Sequence, residues 1–313
     1  MSHLPSPTTK TLRFSQLTET DLDHAETIIT AADSAENRGN NPLWNEISKA
    51  TPDRIIWIRR ENKESIFVRK GDGAEEKISL RDERAIEKIL PPPKLLIDVT
   101  GLSNDVWAPL LKSAYERKIH TRILYSEPES YKPHPSPASS GIFDLSVTFE
   151  GLYPLPGFVR LSGPDNEDKC LFIATLGFEG NRPEHLVAQL DPPPKVIPIV
   201  GAPGFQLEYP TYTVGCNRLF LDEYRAHANL RFARASCPFE IISSLSALQR
   251  EYPDHYFYIA LVGTKPHAIG SVFFALKNPD TTEIMFDYPV KKGDRTSGIG
   301  TIHIYNFGIF DEH

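Results

Sequence analysis

The sequence predicts an α/β fold built on a mostly parallel sheet. Apolar runs of strand length recur along the 313 residues, and several are followed by a glycine turn and a helix-like segment. Continuous apolar runs, unlike alternating ones, are typical of parallel strands that are covered on both faces. The succession of strand, turn and helix therefore predicts helices on both faces of the sheet.

Each element is predicted from its local pattern. Apolar residues spaced as on one helical face predict a helix over residues 20–35. Short apolar segments at 54–59 and 64–69, separated by a polar turn, predict two strands, and the charged segment 79–90 predicts a helix. Further strands are predicted at residues 95–99, 120–125, 170–176, 196–200, 256–262, 282–286 and 300–305.

Three prolines and a lysine occur together twice, at 91–94 and at 192–195, each time between a helix-like segment and a strand. Such a run ends a helix and holds the chain extended as it approaches the next strand. Shared loop chemistry and duplication of one unit both explain the likeness. Segment 133–164 is rich in Pro, Ser and Gly, and it predicts an inserted β-hairpin or a join between two halves.

These patterns divide the chain into three predicted segments. Residues 1–52 are an N-terminal tail and helical segment, and residues 53–165 are a first α/β half. Residues 166–313 are a second α/β half, which carries the candidate phosphate-binding turns.

Composition narrows the classes of function. With 40% hydrophobic and 24% charged residues, the chain has the composition of a soluble globular protein. No apolar run reaches 18 residues and no apolar signal segment opens the chain, so we expect a cytoplasmic protein without a membrane partner. The net charge of −7 argues against broad nucleic-acid binding. Neither the three cysteines nor the ten histidines have metal-site spacing, so no metal is predicted.

Four turns follow predicted strands, at 98–102, 177–180, 201–204 and 263–266. In an open α/β sheet ligands bind beyond the carboxyl ends of the strands, so these turns are expected to line one cleft at one sheet edge. Asp98 and Glu179 are the candidate acids or bases there. Their structural alternatives are the cap of a helix starting near Ser103 and a solvated loop acid. The ligand-binding candidates in the first and third turns are Thr100, Gly101, Gly201 and Gly204.

The turn 263–266 is the strongest candidate because it joins an apolar strand to an apolar helix-like segment. Gly263 permits close approach of the backbone, Thr264 supplies a hydroxyl and Lys265 supplies an ammonium. Backbone N–H groups at the start of a helix bind anions, so the turn suggests a phosphate site. A lysine that merely faces solvent is the structural alternative.

A second basic segment, 291–300, joins two predicted strands and contains three glycines. Glycine-rich backbone with hydroxyls and cationic side chains folds around phosphate oxygens, although a surface hairpin has a similar composition. We expect it to close over the cleft. Its ligand-binding candidates are Lys291, Lys292, Arg295, Thr296 and Ser297.

Glu127 and Glu129 lie two residues apart after the strand predicted at 120–125. In an extended segment this spacing turns both carboxylates the same way, which suits a metal or a general acid. Elsewhere the chain contains neither the dinucleotide GxGxxG pattern nor the GxxxxGK[ST] pattern, so its cofactor is unidentified.

The turn 263–266, together with residues 98–101 at an earlier strand tip, resembles the Rossmann-like sensor domains called CARF, which are associated with CRISPR defence. Those domains commonly carry a Thr-Gly-Gly-Thr-Lys turn, and here Val262 stands at the first glycine. The resemblance implies a mostly parallel Rossmann-like sheet and a homodimer that binds a cyclic oligoadenylate. It also implies that Thr264 and Lys265 contact phosphate or ribose.

The leading interpretation is a protein that binds a phosphorylated small molecule, and specifically a nucleotide. It would act as a sensor or accessory subunit in prokaryotic antiviral defence, with a separately encoded partner protein. A first alternative is an enzyme acting on a nucleotide or sugar-phosphate, with Asp98 or Glu179 as acid or base and Lys265 stabilising charge. A second alternative is a non-catalytic scaffold subunit of a multiprotein complex.

Overall fold

A computed structural model describes residues 7–22, 24–32, 37–39, 41–91, 93–138, 141–160 and 163–307. The chain divides into two compact units, unit 1 comprising Met1–Lys132 with Gly293–His313 and unit 2 comprising Pro133–Lys292. The boundary predicted at 52–53 falls inside unit 1, and the boundary predicted at 165–166 falls inside unit 2. Unit 1 is discontinuous because the last strand of the chain pairs with strands formed by the first 132 residues.

The strands, in chain order, are β1 Thr8–Arg13, β2 Thr27–Ala31, β3 Ile55–Arg60, β4 Ser65–Lys70, β5 Glu76–Ser79, β6 Lys94–Asp98, β7 His120–Tyr131, β8 Pro133–Ala138, β9 Gly141–Phe143, β10 Ser146–Phe149, β11 Cys170–Thr175, β12 Lys195–Gly201, β13 Arg231–Ala233, β14 Tyr256–Ala260, β15 Thr282–Met285, β16 Pro289–Lys291 and β17 Thr296–Asn306. The α-helices are α1 Pro42–Ala50, α2 Glu83–Ile89, α3 Asn104–Glu116, α4 Asn181–Val187, α5 Tyr209–Cys216, α6 Arg218–Glu223, α7 Pro238–Glu251 and α8 Lys265–Lys277. None of the helices in the described part of the chain is both long enough and apolar enough to cross a membrane.

Unit 1 contains an eight-stranded mixed sheet in the order β1-β17-β7-β6-β2-β3-β4-β5. Its central strands β7, β6, β2 and β3 pair in parallel, whereas the pairs toward both edges are antiparallel. One face packs against α1, whose Trp44 and Ile47 join Ile28 and Leu96 in a hydrophobic cluster. Burial of these large apolar side chains is the main stabilising contribution to this unit.

The helix predicted over residues 20–35 is wrong for most of its described residues: Glu19–Leu22 is a short 3-10 helix, and a strand follows it. Residues 27–31 form β2, and all five of its residues are buried between β6 and β3. The apolar spacing fitted a helical face, but the buried run is short and contains Ile28 and Ile29, whose β-branched side chains favour a strand. Residues 23 and 33–35 of the predicted helix lie outside the described residues.

Unit 2 contains a five-stranded sheet in the order β13-β12-β11-β14-β15, and every pair in it is parallel. The segment 133–164, in which a hairpin was predicted, contains β8, β9 and β10. β8 pairs with β9, and β10 pairs with β16 from later in the chain; both pairs are antiparallel. The chain proceeds from β11 to β12 and β13 on one side and then continues with β14 on the other side of β11. The strand order therefore reverses between β11 and β14.

Helices cover both faces of this parallel sheet, as the apolar strands predicted. On one face, Phe172 of β11 packs with Leu186 of α4 and Phe220 of α6. On the other face, Phe257 of β14 stacks on Phe274 of α8, with ring centroids 6.1 Å apart. All six residues of β11 are buried, as is typical of a central parallel strand.

Two expectations about the turns are wrong. The turn at 98–102 belongs to the sheet of unit 1, whereas the turns at 177–180, 201–204 and 263–266 belong to the sheet of unit 2. The four turns therefore do not share one sheet edge. Residues 296–300 were expected in a glycine-rich loop, but they form the start of β17, where Thr296 and Ser297 pair with Tyr131 and Ser130 of β7.

Candidate functional site

Three of the predicted turns meet the carboxyl edge of the parallel sheet in unit 2, and two of them are in direct contact. A Cβ placed on Gly177 would lie 2.4 Å from the carbonyl oxygen of Val262. One placed on Gly263 would lie 2.7 Å from the carbonyl oxygen of Thr175. The turns after β11 and β14 thus need glycine because their backbones touch. They touch where the strand order reverses, which is where open α/β sheets bind ligands.

Asn217 holds the first of these turns in place. Its side-chain amide donates hydrogen bonds to the carbonyl oxygens of Gly177, at 2.7 Å, and Thr213, at 2.8 Å. The backbone approaches closely here as well, since a Cβ on Gly180 would lie 2.1 Å from the carbonyl oxygen of Cys216. Sequence reasoning missed Asn217, because nothing local links it to a turn forty residues earlier.

The turn after β14 leads directly into α8. Thr264 is the N-cap, and its Oγ1 accepts the backbone N–H of His267 and donates to the carbonyl oxygen of Ala235 at 2.7 Å. Lys265 is half-buried in the first turn of this 13-residue helix, which has no acidic residue in that turn. A helix N-terminus favours anions, and Lys265 adds a positive charge beside it.

His267, two residues after Lys265, is fully buried, and sequence reasoning did not select it. Its Nε2 lies 3.1 Å from the carbonyl oxygen of Arg234, and that contact makes Nε2 the protonated nitrogen. Burial lowers the pKa of His267 from 6.5 to about 4, so the ring is neutral near pH 7. The ring also fills the space beside Gly201, since a Cβ there would lie 3.5 Å from the His267 Cε1 atom.

The third turn, 201–204, is tied to the end of β13. The backbone N–H of Ala202 donates to Ala233, and the carbonyl oxygen of Pro203 accepts from Ala235. A Cβ on Gly204 would lie 2.8 Å from the carbonyl oxygen of Gln206, so Gly204 fits a tight turn. This turn places Gly201 and Gly204 at the same sheet edge as Gly263.

Glu179 belongs to a buried ionic group. Its Oε2 lies 3.3 Å from Arg182 Nη1, and Arg182 also makes a bidentate pair with Asp287 at 2.8 and 2.6 Å. Burial alone would lower the pKa of Arg182, but its bonds to Asp287 and the charge of Glu179 outweigh that effect and raise it. Glu179 is therefore ion-paired and half-buried. Sequence reasoning did not select Asp287, although this acid lies just after the end of β15, the kind of position by which the other acids were selected.

Four aromatic rings lie beside the Gly177 turn. Phe178 follows Gly177 directly, and its ring centroid lies 4.5 Å from that of Phe143 and 5.2 Å from that of Tyr209. Tyr212 of α5 lies 6.0 Å from Phe143. Phe143, Phe178 and Tyr212 are only partly buried, so the cluster offers aromatic surface at the carboxyl edge.

The two lysines of the basic segment also lie in unit 2. Lys291 ends β16, and Lys292 forms an ion pair with Asp144. The backbone N–H of Lys292 donates to the carbonyl oxygen of Leu145 at 2.9 Å. Arg295, Thr296 and Ser297 lie in unit 1. The basic segment is thus divided between the two units.

The predicted residues Asp98 and Thr100 are buried in unit 1. Asp98 is 1% exposed and accepts hydrogen bonds from the Trp44 indole at 2.9 Å, from Thr30 at 3.2 Å and from the backbone N–H of Thr100 at 3.0 Å. Thr100 in turn accepts from the backbone N–H of Ser126, and Gly101 follows it in the same turn. The helix-capping alternative for Asp98 is wrong, because α3 begins at Asn104 and its N-cap is Ser103.

Among the residues that the structure describes, no group of three or more His, Cys, Asp or Glu side chains could hold a metal ion. The sequence matches no known protein-family model, and a search of curated proteins gave no significant match.

Proposed function

We propose that unit 2 binds a nucleotide at the carboxyl edge of its parallel sheet, between the turns after β11 and β14. The observation that carries the proposal is the contact between the Gly177 and Gly263 turns at the reversal of strand order. Counted from β11, the strands lie in the order 3-2-1-4-5, which matches the first five strands of the Rossmann order 3-2-1-4-5-6. The Rossmann-like assignment is part of this proposal.

The phosphate end of the ligand is assigned to the start of α8. The positive end of the helix dipole and the ammonium of Lys265 provide the positive potential there. Thr264 already donates its hydroxyl proton to Ala235, so it acts through its backbone and by capping the helix. We expect Lys265 to contribute directly to phosphate binding.

The base end is assigned to the aromatic cluster of Phe143, Phe178, Tyr209 and Tyr212. Base stacking on aromatic side chains contributes about 1–3 kcal/mol per base and tolerates different bases. The partly exposed ring of Phe178 is attached to the same turn that touches Gly263. This arrangement favours a nucleotide over a phosphorylated molecule that lacks an aromatic base.

The proposed biological role rests on the resemblance of the turn 263–266 to CARF domains. We propose that nucleotide binding serves a sensor or accessory subunit in prokaryotic antiviral defence, with a cyclic oligoadenylate among the ligands to be tested. The enzyme alternative gains no support from Glu179, since its contact with Arg182 suits anchoring of the turn better than proton transfer.

The test is a thermal-shift series with AMP, ATP, a cyclic dinucleotide, a cyclic oligoadenylate and ribose 5-phosphate. A ligand at about one hundred times its Kd stabilises the folded state by about 2.7 kcal/mol. We expect a rise in melting temperature for at least one nucleotide, abolished by Lys265→Ala. Lys277→Ala, which removes an exposed lysine from the last turn of the same helix, should leave it intact.

Phe178→Leu tests the contact with the base separately from the contact with the phosphate. We expect it to weaken the response to nucleotides and to leave any response to ribose 5-phosphate unchanged, because only the base contacts the ring. No shift with any nucleotide would contradict the proposal. A shift that survives Lys265→Ala would place the ligand elsewhere.

A further inference from the structure

A row of three side chains in unit 1 joins a hydroxyl, an imidazole and a carboxylate across neighbouring strands. Thr11 lies on β1, His303 on β17 and Glu127 on β7, and Thr11 is the cross-strand partner of His303. The Thr11 Oγ1 atom lies 3.2 Å from His303 Nδ1. On the other side of the ring, His303 Nε2 lies 2.7 Å from Glu127 Oε1. The contacts join residues 292 and 176 positions apart in the chain.

With Glu127 ionised and the His303 ring neutral, these two contacts are compatible with one set of hydrogen-bond directions. An ionised carboxylate only accepts, so His303 Nε2 carries a proton and donates it to Glu127. In the neutral ring Nδ1 is then the acceptor, and Thr11 donates its hydroxyl proton to it. The hydroxyl thus faces a base that is oriented by an acid, the arrangement that activates hydroxyl nucleophiles.

The three side chains differ in burial, and the hydroxyl is the one that a substrate could reach. Glu127 is 8% exposed and His303 is 5% exposed, whereas Thr11 is exposed. Tyr305 stacks on the His303 ring at an interplanar angle of 4° and limits its rotation. The base and its orienting acid are therefore held inside, and the hydroxyl faces solvent.

We propose that Thr11 is a nucleophile for acyl transfer, with His303 as its general base and Glu127 as the positioning residue for the imidazole. Thr11 Oγ1 forms a bond to the acyl carbon of an ester while its proton passes to His303 Nδ1. The bond from carbon to the leaving oxygen then breaks, and that oxygen takes the proton from His303. A water molecule then adds to the acyl-threonine, giving its proton to His303. The acid leaves, and Thr11 recovers its proton.

The position of Thr11 limits the class of substrate. β1 is an edge strand of the described sheet, so alternate backbone groups along it are not paired by another described strand. Backbone N–H groups of this kind can donate to the oxygen that becomes negative during attack. An ester or thioester with a small acyl group, approaching from solvent, fits this open edge.

The test uses p-nitrophenyl acetate with the full chain and maps acetylation by peptide mass spectrometry. Thr9 is the internal control, since it is an exposed threonine on the same strand, opposite Tyr305. We expect acetylation of Thr11 to exceed that of Thr9 by roughly 10²–10⁴-fold, the range of general-base assistance. Thr11→Val should abolish the product, and Thr11→Ser should retain it.

Glu127→Gln distinguishes this role from a purely structural one. It removes the acceptor charge that orients His303, so we expect slower acetylation of Thr11 and no change at Thr9. Equal acetylation of the two threonines in the wild type would overturn the proposal, as would a Thr11 rate that Glu127→Gln leaves unchanged. The ratio of acetylation at Thr11 to acetylation at Thr9 in the wild type tests the proposal even if Glu127→Gln does not fold.

Discussion

Gly263 lies so close to Thr175 that a Cβ on Gly263 would be 2.7 Å from the Thr175 carbonyl oxygen. The atoms that would collide belong to the backbone, which cannot rotate away as a flexible side chain can. The end of β11 and the turn before α8 are therefore packed backbone against backbone. This contact sets the geometry of the proposed nucleotide site.

Replacing Gly263 with alanine should therefore destabilise unit 2. We expect the free energy of unfolding to fall by about 1–3 kcal/mol, the usual cost of overpacking, as measured by urea denaturation. Gly163→Ala is the control in the same unit, because a Cβ on Gly163 meets nothing within 4 Å. Equal stabilities of the two variants would show that the Gly263 turn moves freely.

Removing Arg182 should leave the buried Asp287 carboxylate without its partner. Asp287 is 0% exposed, so Arg182→Met should lower the free energy of unfolding by about 3–5 kcal/mol, as for other broken buried ion pairs. The pair of Arg231 and Glu251 is the control, with side chains 39% and 49% exposed. Arg231→Met should cost at most about 1 kcal/mol. If both variants lost a similar amount of unfolding free energy, burial would not be the reason that the Arg182–Asp287 pair matters for stability.

The contrast between Glu179 and Asp287 shows which parts of the site could be predicted from sequence. Glu179 was selected because it follows a strand in a turn with two glycines, which is a local pattern. Asp287 contacts Arg182 across 105 residues, and no local pattern reveals such a partner. His267 was missed for the same reason, since its burial depends on Arg234 and Gly201.

The fold shows the same limit. Four strands of the parallel sheet in unit 2, β11, β12, β14 and β15, were predicted because buried parallel strands are continuous apolar runs. The three-residue strand β13 was not predicted, since Arg231–Ala233 is too short to show such a run. The helix over 20–35 was wrong because a short buried run fits either periodicity, and the choice depends on the neighbours β3 and β6. Assignment of the 98–102 turn to a second sheet depended on long-range pairing, which the sequence does not display.

Asp98 should prove structural in unit 1. Three donors surround its carboxylate, so Asp98→Asn would turn an amide N–H₂ toward at least one of them. We expect the free energy of unfolding to fall by about 1–3 kcal/mol, the cost of an unsatisfied buried polar group. Asp254→Asn, at an exposed carboxylate paired with Lys169, is the control and should be nearly neutral. A stable Asp98→Asn variant would reopen a chemical role for this acid.

His267 should make the stability of unit 2 depend on pH. Its pKa is lowered from 6.5 to about 4 by burial, so between these values the unfolded chain binds a proton that the folded protein does not. The free energy of unfolding contributed by this group is therefore complete above pH 6.5 and declines as the pH falls toward 4. The slope is about 1.4 kcal/mol per pH unit in that window.

Substitution of His267 by glutamine isolates this contribution. Glutamine keeps an N–H donor for the Arg234 carbonyl oxygen but does not titrate, so the difference in unfolding free energy between wild type and variant should change by about 3 kcal/mol from pH 7 to pH 4. Urea denaturation at a series of pH values measures it. His185→Gln, at an exposed histidine on α4, should keep the wild-type slope. If the free energies of unfolding of wild type and His267→Gln changed with pH in parallel, the buried ring would be protonated in the folded state at the same pH as in the unfolded chain. The first turn of α8 would then carry a second positive charge beside Lys265.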